Sequence, residues 1–531
     1  MRQEQSHLWN EQLQPLYDFY VNDKRDVTVT VKGRDLSLTD VWLVAREKQK
    51  VVLDDEAVER IAKAKKVVDK IAMDGTPTYG ISTGFGELST VYIEPDKNES
   101  LQRNLILSHA CGVGDPFPED VVRAIMLLRL NTLAVGYSGV SDEVPEILVD
   151  MLNKGVTPYV PSKGSLGASG DLANLAHVAL VMLGEGEAFY EGKRMKGSEA
   201  LEAAGIKPVR LNGKDGLALI NGTQIMAALG TLSAVESMLL LLQADMGTAL
   251  TFEAFNGITK ALDPRIHQLR AQPGQMAVAE NLLSLLEGSS SVDTRPNDVQ
   301  DPYTLRCVPQ VHGATVDAIN YVAEVLTREI NAVTDNPIVF PETGEVISGG
   351  NFHGQPLAIT LDFLAIAVAE LANISERRTE RLVNPQLSGN LPAFLIKESG
   401  VNSGFMIPQY TAAALVSENK VLTHPASVDS ITSSANKEDH VSMGANAARK
   451  LREVIKNTRQ VLAIEWMVAA QAIDLREIDK LGRGTADIYA AVREKVDYLA
   501  EDRILHYDLI ALNDLLNDPK PTLTIHQQYG I

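Results

Sequence analysis

Four long stretches of this chain hold few or no internal prolines and are apolar on more than one face: Thr223–Phe255, Val311–Ala332, Pro356–Val383 and Ala445–Gln471. A helix that is hydrophobic nearly all round has no side left for water, so several neighbours must bury it. The pattern therefore predicts a mainly α fold, a bundle of long helices. One chain of this size cannot surround all four, so subunits are expected to share a central helical core. The segment TQIMAALGTLSAVESMLLLLQADMGTAL (Thr223–Leu250) matches a membrane span in length, but Glu236 and Asp245 interrupt it. It reads as a buried core helix, with no membrane partner.

Charge narrows the function classes. The chain has 49 basic and 69 acidic residues, a formal net charge of −20. A nucleic-acid partner would need a basic footprint, which this balance argues against. Two cysteines, Cys111 and Cys307, are too few for a disulfide framework and lack metal-ligand spacing. The ten histidines form no HExxH-like cluster, so no metal is expected. The first residues, MRQEQSHLWNEQLQPLY, lack the apolar stretch of a secretory signal, and a reducing cytoplasm is the expected home.

Four units are expected. Residues 1–35 read as a loosely attached extension. Residues 36–220 alternate short helical patterns with Gly- and Pro-rich loops. Residues 221–475 carry the long helices, and 476–531 form a helical tail. Within the second unit, Val51–Met73 has apolar residues at helical spacing and acids near its start, which suit a helix N-terminus.

Short polar islands interrupt the apolar stretches. They are Thr78–Ser89 (TYGISTGFGELS), Leu107–Asp115 (LSHACGVGD), Gly164–Asp171 (GSLGASGD), Leu219–Gln224 (LINGTQ), Val299–Gln310 (VQDPYTLRCVPQ), Thr334–Pro337 (TDNP), Gly349–Pro356 (GGNFHGQP) and Ser433–Gly444 (SSANKEDHVSMG). Polar groups are costly to bury unless paired or used. Islands carrying Tyr, His, Arg, Asn and Glu at helix ends point to one assembled pocket.

Together these islands resemble the histidine/phenylalanine/tyrosine ammonia-lyase and aminomutase family over roughly Leu36–Leu475, with GASGD the most specific element. The resemblance implies the fumarase/aspartase-like long-helix fold, a homotetramer and an amino-acid substrate. It also implies that Ala168, Ser169 and Gly170 cyclise into a 4-methylidene-imidazol-5-one (MIO), with no external cofactor. The residue types suit that chemistry. The Gly170 nitrogen must approach the Ala168 carbonyl carbon more closely than ordinary backbone allows, and small residues lower that barrier. Loss of the Ser169 hydroxyl then leaves an electron-poor methylidene.

The implied reaction removes ammonia from an α-amino acid without oxidation and gives a trans-α,β-unsaturated acid. By the resemblance, Tyr79 is the base, provided that its pKa is depressed by nearby dipoles or cations. Arg306 would grip the substrate carboxylate with its two parallel donors. Asn221 and Tyr303 would orient cofactor and amine, Phe352 would pack beneath the ring, and Gln300 and Asn336 fall on further pocket positions. His109 stands at the position of the substrate-ring selector, and Met406 resembles a histidine-type pocket wall. Glu438 replaces the glutamine usual in phenylalanine and tyrosine enzymes. A carboxylate accepts the N–H of an imidazole but burdens a phenyl pocket. Glu438 therefore favours L-histidine, with trans-urocanate as product, the first step of histidine degradation. The alternatives are an aromatic amino-acid lyase or 2,3-aminomutase and, more remotely, a non-catalytic helical scaffold. Three departures from the family pattern stand out: Asn174 in place of a common proline, Lys437 in place of a frequent glutamine, and the extension before Leu36.

Overall fold

The computed structural model describes residues 7–531. The four long helices form, at Gln224–Phe255, Val308–Ile330, Gln355–Val383 and Gly444–Arg476, and they pack against one another at the centre of the molecule. Among the described residues the chain has 20 α-helices, and its strands, two to four residues long, make only small sheets. Pro309 and Pro356 both fall in the first turn of their helices, where a missing N–H costs nothing. The first long helix stops at Asn256, which adopts the left-handed conformation with φ 54°.

Every residue of the Gln224–Phe255 helix is buried over its length of about 48 Å. Its acids are tolerated because each has partners. Glu236 meets Arg452 at 2.8 Å, Arg459 at 3.1 Å and also Arg46. Burial alone would raise its pKa, but the three guanidinium groups hold it down to about 2. Asp245 bonds His312 Nδ1 at 2.7 Å and the Asn281 amide at 3.0 Å. The two charges that interrupt the apolar run are thus cross-links between helices. The helix is long and apolar enough to cross a membrane, yet it is wholly enclosed by protein.

Of the extension expected to attach loosely, residues 1–6 lie outside the described residues, and the described part packs into the core. The His7–Leu16 helix, a π-helical turn at Tyr17–Val21 and the Thr28–Val31 strand bring Leu13, Leu16, Tyr17, Phe19 and Val31 into the main core. The strand pairs in parallel with Lys50–Leu53, and the Tyr17 hydroxyl bonds His526 of the Pro519–Tyr529 helix. Strand pairing also takes Val51 and Val52 out of the helix expected from Val51. That helix instead runs Asp55–Asp74, with Asp55 and Glu56 in its first turn.

One hydrophobic cluster runs from Leu13 to Ile531, with two small satellites. Yet the bundle is not fully covered. The Met406–Leu422 helix buries only Pro408, Ala412 and Asn419. Tyr321, Ile359, Phe363 and Ile366 on the neighbouring long helices are exposed.

Candidate active site

The GASGD loop is held from three sides. Gly170 pairs with Gly222, and the Asp171 N–H donates to the Gly222 carbonyl at 2.7 Å. The Asp171 carboxylate accepts the Ile225 and Met226 N–H groups at 3.0 and 3.1 Å, capping the first long helix, and the Ser165 hydroxyl at 2.6 Å. Burial nevertheless pushes its carboxyl up to about 6. On the other side, the Met443 N–H donates to the Leu166 carbonyl at 2.8 Å and the Ser442 hydroxyl to that of Gly167 at 3.2 Å.

This cradle fits cyclisation of Ala168–Ser169–Gly170. Ser169 and Gly170 both take positive φ, 47° and 76°. A Cβ on Gly170 would stand 2.1 Å from the Gly222 carbonyl oxygen, so only glycine can occupy this close approach. The platform beneath is rigid and polar. Buried Arg129 donates to the Asn221 carbonyl and the Gln224 side chain, both at 2.9 Å, and Lys214 meets Asp335 at 2.6 Å with both side chains fully buried.

Five of the expected residues line one cavity of about 510 Å³: Tyr79, His109, Ser169, Asn221 and Glu438. Ser169 Oγ donates to Glu438 Oε1 at 2.8 Å. His109 ends the Asn98–His109 helix, and its Nδ1 lies 3.0 Å from the Ser108 hydroxyl. Burial pushes the His109 imidazole down, while the Leu105 carbonyl and the Glu438 charge pull it up. The Tyr79 hydroxyl accepts the Gly86 N–H at 3.2 Å, and Phe85 packs edge-on against its ring. Tyr79 departs from the expectation of a depressed pKa. Burial raises it, the Gly86 N–H opposes that rise, and the Glu438 charge adds to it.

The other expected residues are placed differently. Asn336 sits beside the cavity: its carbonyl accepts from Asn221 Nδ2 at 3.2 Å and its side chain accepts the Gly349 N–H at 2.8 Å. Phe352 is half-buried two residues from Gly354, whose N–H reaches the Gly167 carbonyl at 3.5 Å, but it does not line the cavity. Gln300, Tyr303 and Arg306 precede the Val308–Ile330 helix, whose far end leads to Asn336, so about 34 Å separates them from the cavity of their own chain. Met406 is as remote. Gln409, one turn further, bonds Glu376, about 31 Å along the Gln355–Val383 helix from its cavity end. Tyr303 is 69% exposed, and the Arg306 guanidinium lies over its ring at 4.6 Å rather than in the ion pair usual for an arginine between helices. Among the described residues, Arg306 Nε has no hydrogen-bond partner.

Of the three departures, Lys437 meets Glu87 at 3.6 Å. Asn174 does not disturb its helix start; it is buried and donates to the Pro161 carbonyl at 2.6 Å. Sequence reasoning missed Gly86 as the donor to Tyr79, and Leu172, Leu217 and Ile220 as apolar wall. The TGFG glycines were the available signal for the first.

The chain as a whole is similar to known proteins. A histidine ammonia-lyase of Treponema denticola is 67% identical over 491 residues, covering 92% of this chain and 97% of that one. The crystal structure of histidine ammonia-lyase from Trypanosoma cruzi superimposes with a TM-score of 0.89 at 42% identity, covering 95% and 96% of the two chains. Tyrosine aminomutase from Streptomyces globisporus does so with a TM-score of 0.90 at 38% identity, covering 94% and 99%. The family model for aromatic amino acid lyases matches residues 36–494, and the chain belongs to that family.

Proposed function

We propose that this carbon–nitrogen lyase deaminates L-histidine to trans-urocanate and ammonia, within a homotetramer in the cytoplasm. The observation that carries the reading is one wall of the cavity. There the Glu438 carboxylate accepts from Ser169 of the GASGD loop and lines the same cavity as His109, whose imidazole feels its charge. An imidazole offers this half-buried carboxylate an N–H, whereas a phenyl ring offers it no donor. The 67% identity to a histidine ammonia-lyase supports the same substrate.

The MIO that fits the 168–170 cradle supplies an electrophilic carbon, which makes the substrate's amine a better leaving group. The chain's own groups do the rest. Glu438 accepts the imidazole N–H and orients the side chain, with His109 at the selector position. Tyr79 takes a β-proton. Burial opposes its phenolate and the Gly86 N–H favours it. Asn221, locked by Asn336, holds the amine side of the pocket.

Among the described residues that line the cavity, none is a lysine or arginine that could hold the substrate's carboxylate. Arg306 has the right fork and an unpaired Nε, and a neighbouring subunit is the means of delivering it. Gln300, Tyr303 and Met406 travel with it from the far end of the bundle. Its positive charge would also favour the Tyr79 phenolate. The exposed apolar face of Tyr321, Ile359 and Phe363 supplies the association surface. The cytoplasm keeps the free thiols of Cys111 and Cys307 reduced.

The test is product analysis after separate incubations with L-histidine and L-tyrosine. Urocanate from histidine is expected. A second reading, aminomutase, comes from the 38% identity to tyrosine aminomutase; a β-amino acid from tyrosine, with no urocanate, would establish it. An intact mass that lacks the loss of two waters would support a scaffold instead.

A further inference from the structure

Asn174 and His177 lie three residues apart on one face of the Leu172–Met182 helix, which begins directly after the cofactor loop. Both reach the same small ladder. Asn174 Nδ2 donates to the Pro161 carbonyl at 2.6 Å, and His177 Nε2 accepts the Gly112 N–H at 3.1 Å. Pro161 and Gly112 bracket the antiparallel pair Val113–Pro116 and Pro161–Lys163. Gly112 is wedged there: a Cβ would stand 3.3 Å from His177 Nε2, from the Lys163 carbonyl and from Pro161 Cβ. His109 is three residues away, and the turn between them is closed by the Cys111 N–H donating to the His109 carbonyl at 2.8 Å.

A ring nitrogen that accepts a backbone N–H carries no proton, so His177 serves this contact only as neutral imidazole. Burial, which holds its pKa below the ordinary value, agrees with that.

We propose that His177 and Asn174 are positioning residues that fix the His109 turn against the cofactor-loop helix, and so set the fit of an imidazole side chain. This rests on the reading of the cavity as a histidine site. Neither residue lines the cavity; each acts through the turn. The inference also gives Asn174 a use. A proline would be tolerated in the first helical turn but would leave the Pro161 carbonyl without this donor.

The experiment uses the full-length protein. His177→Leu keeps bulk and removes the acceptor, whereas His177→Gln offers a side-chain carbonyl in its place. In His177→Leu, KM for L-histidine is expected to rise about tenfold, with kcat falling less than about threefold, as for one lost hydrogen bond. His177→Gln is expected to stay within about threefold of the parent in both. Hydrogen exchange at the Gly112 amide should quicken in His177→Leu and not in His177→Gln, and both should retain the two-water mass loss. An unchanged KM in His177→Leu overturns the proposal, as does a glutamine variant no better than the leucine one. If the parent makes no urocanate, the substrate reading has failed, while Gly112 exchange still decides whether His177 holds the turn. Should His177→Leu not fold, Asn174→Ala stands in for it, and unchanged KM and Gly112 exchange in that variant overturn the proposal.

Discussion

Ser169 donates its hydroxyl to Glu438 Oε1 at 2.8 Å, joining residues 269 apart in sequence. The carboxylate therefore touches the residue that must lose its hydroxyl and also faces the cavity that receives the substrate. Ser433 Oγ donates to the other carboxylate oxygen at 3.2 Å, so the side chain is held rather than swinging.

Glu438→Gln keeps the size of the side chain and removes its charge. Histidine turnover is expected to fall by about 10–10²-fold, the cost of losing a charged hydrogen-bond acceptor that orients the substrate. Steady-state kinetics with an intact-mass control for cofactor formation checks this. Near-normal turnover would remove the case for histidine over tyrosine.

Ser169→Ala and Gly170→Ala test the tripeptide itself. The first removes the hydroxyl that leaves as water. The second places a methyl group 2.1 Å from the Gly222 carbonyl oxygen and strains a residue at φ 76°. Both proteins are expected to show the uncyclised mass and to lose at least about 10³-fold in rate, since covalent assistance is gone. Full activity with an unmodified mass in either would sink the cofactor account.

The long helices were legible in the sequence because burial on all sides leaves a pattern that no other environment permits. Glu236 and Asp245 were legible as interruptions, but not as cross-links, since Arg452, Arg459 and His312 are distant in sequence. Leu13, Leu16 and Tyr17 stand at i, i+3 and i+4, which is helical spacing, but Pro15 inside the run and the π-helical turn after it masked the pattern. The Gly86 N–H on Tyr79 left only an indirect trace, the TGFG glycines, because a backbone donor shows in the sequence only through the conformation it needs. Motifs named Gln300, Tyr303, Arg306 and Met406 as pocket residues. A motif says which residue serves a pocket, not which copy of the chain delivers it, and within one chain these four lie at the far end of the bundle.

That separation yields a mixing test. Glu438→Gln and Arg306→Ala should each be strongly impaired alone. Co-expressed, they are expected to regain activity at roughly a quarter of sites, because random assembly supplies both intact residues there. Assays of the mixed tetramers, beside each parent variant, check it. Mixtures no better than the single variants would mean that one subunit supplies both Arg306 and Glu438 to a site, and would overturn delivery from a neighbour.

Tyr79 needs to lose a proton to serve as base, and its burial raises its pKa above the ordinary 10.0. The phenolate fraction therefore climbs with pH throughout the neutral range. Across pH 7 to 9, kcat/KM is expected to rise by up to about tenfold per unit, and Tyr79→Phe to lose about 10²–10⁴-fold. A Tyr79→Phe enzyme with the parent's rate and pH profile would move the base elsewhere.

His526 ties stability to pH. Its imidazole is 4% exposed, and burial lowers its pKa from 6.5 to about 4 while Nδ1 is bonded to the Tyr17 hydroxyl. Because the folded pKa is depressed, the unfolded chain takes up a proton below pH 6.5 that the folded chain refuses. Stability is whole above that pH and falls as pH drops toward 4, by up to about 1.4 kcal/mol per unit and about 3 kcal/mol in all. His526→Gln removes the titration and leaves an acceptor for Tyr17. Urea unfolding between pH 7.5 and 4.5 should show a shallower decline for this variant than for the parent, at equal protein concentration. Identical slopes would mean that His526 is already protonated in the folded chain, and that the seam between the first and last helices does not sense acid.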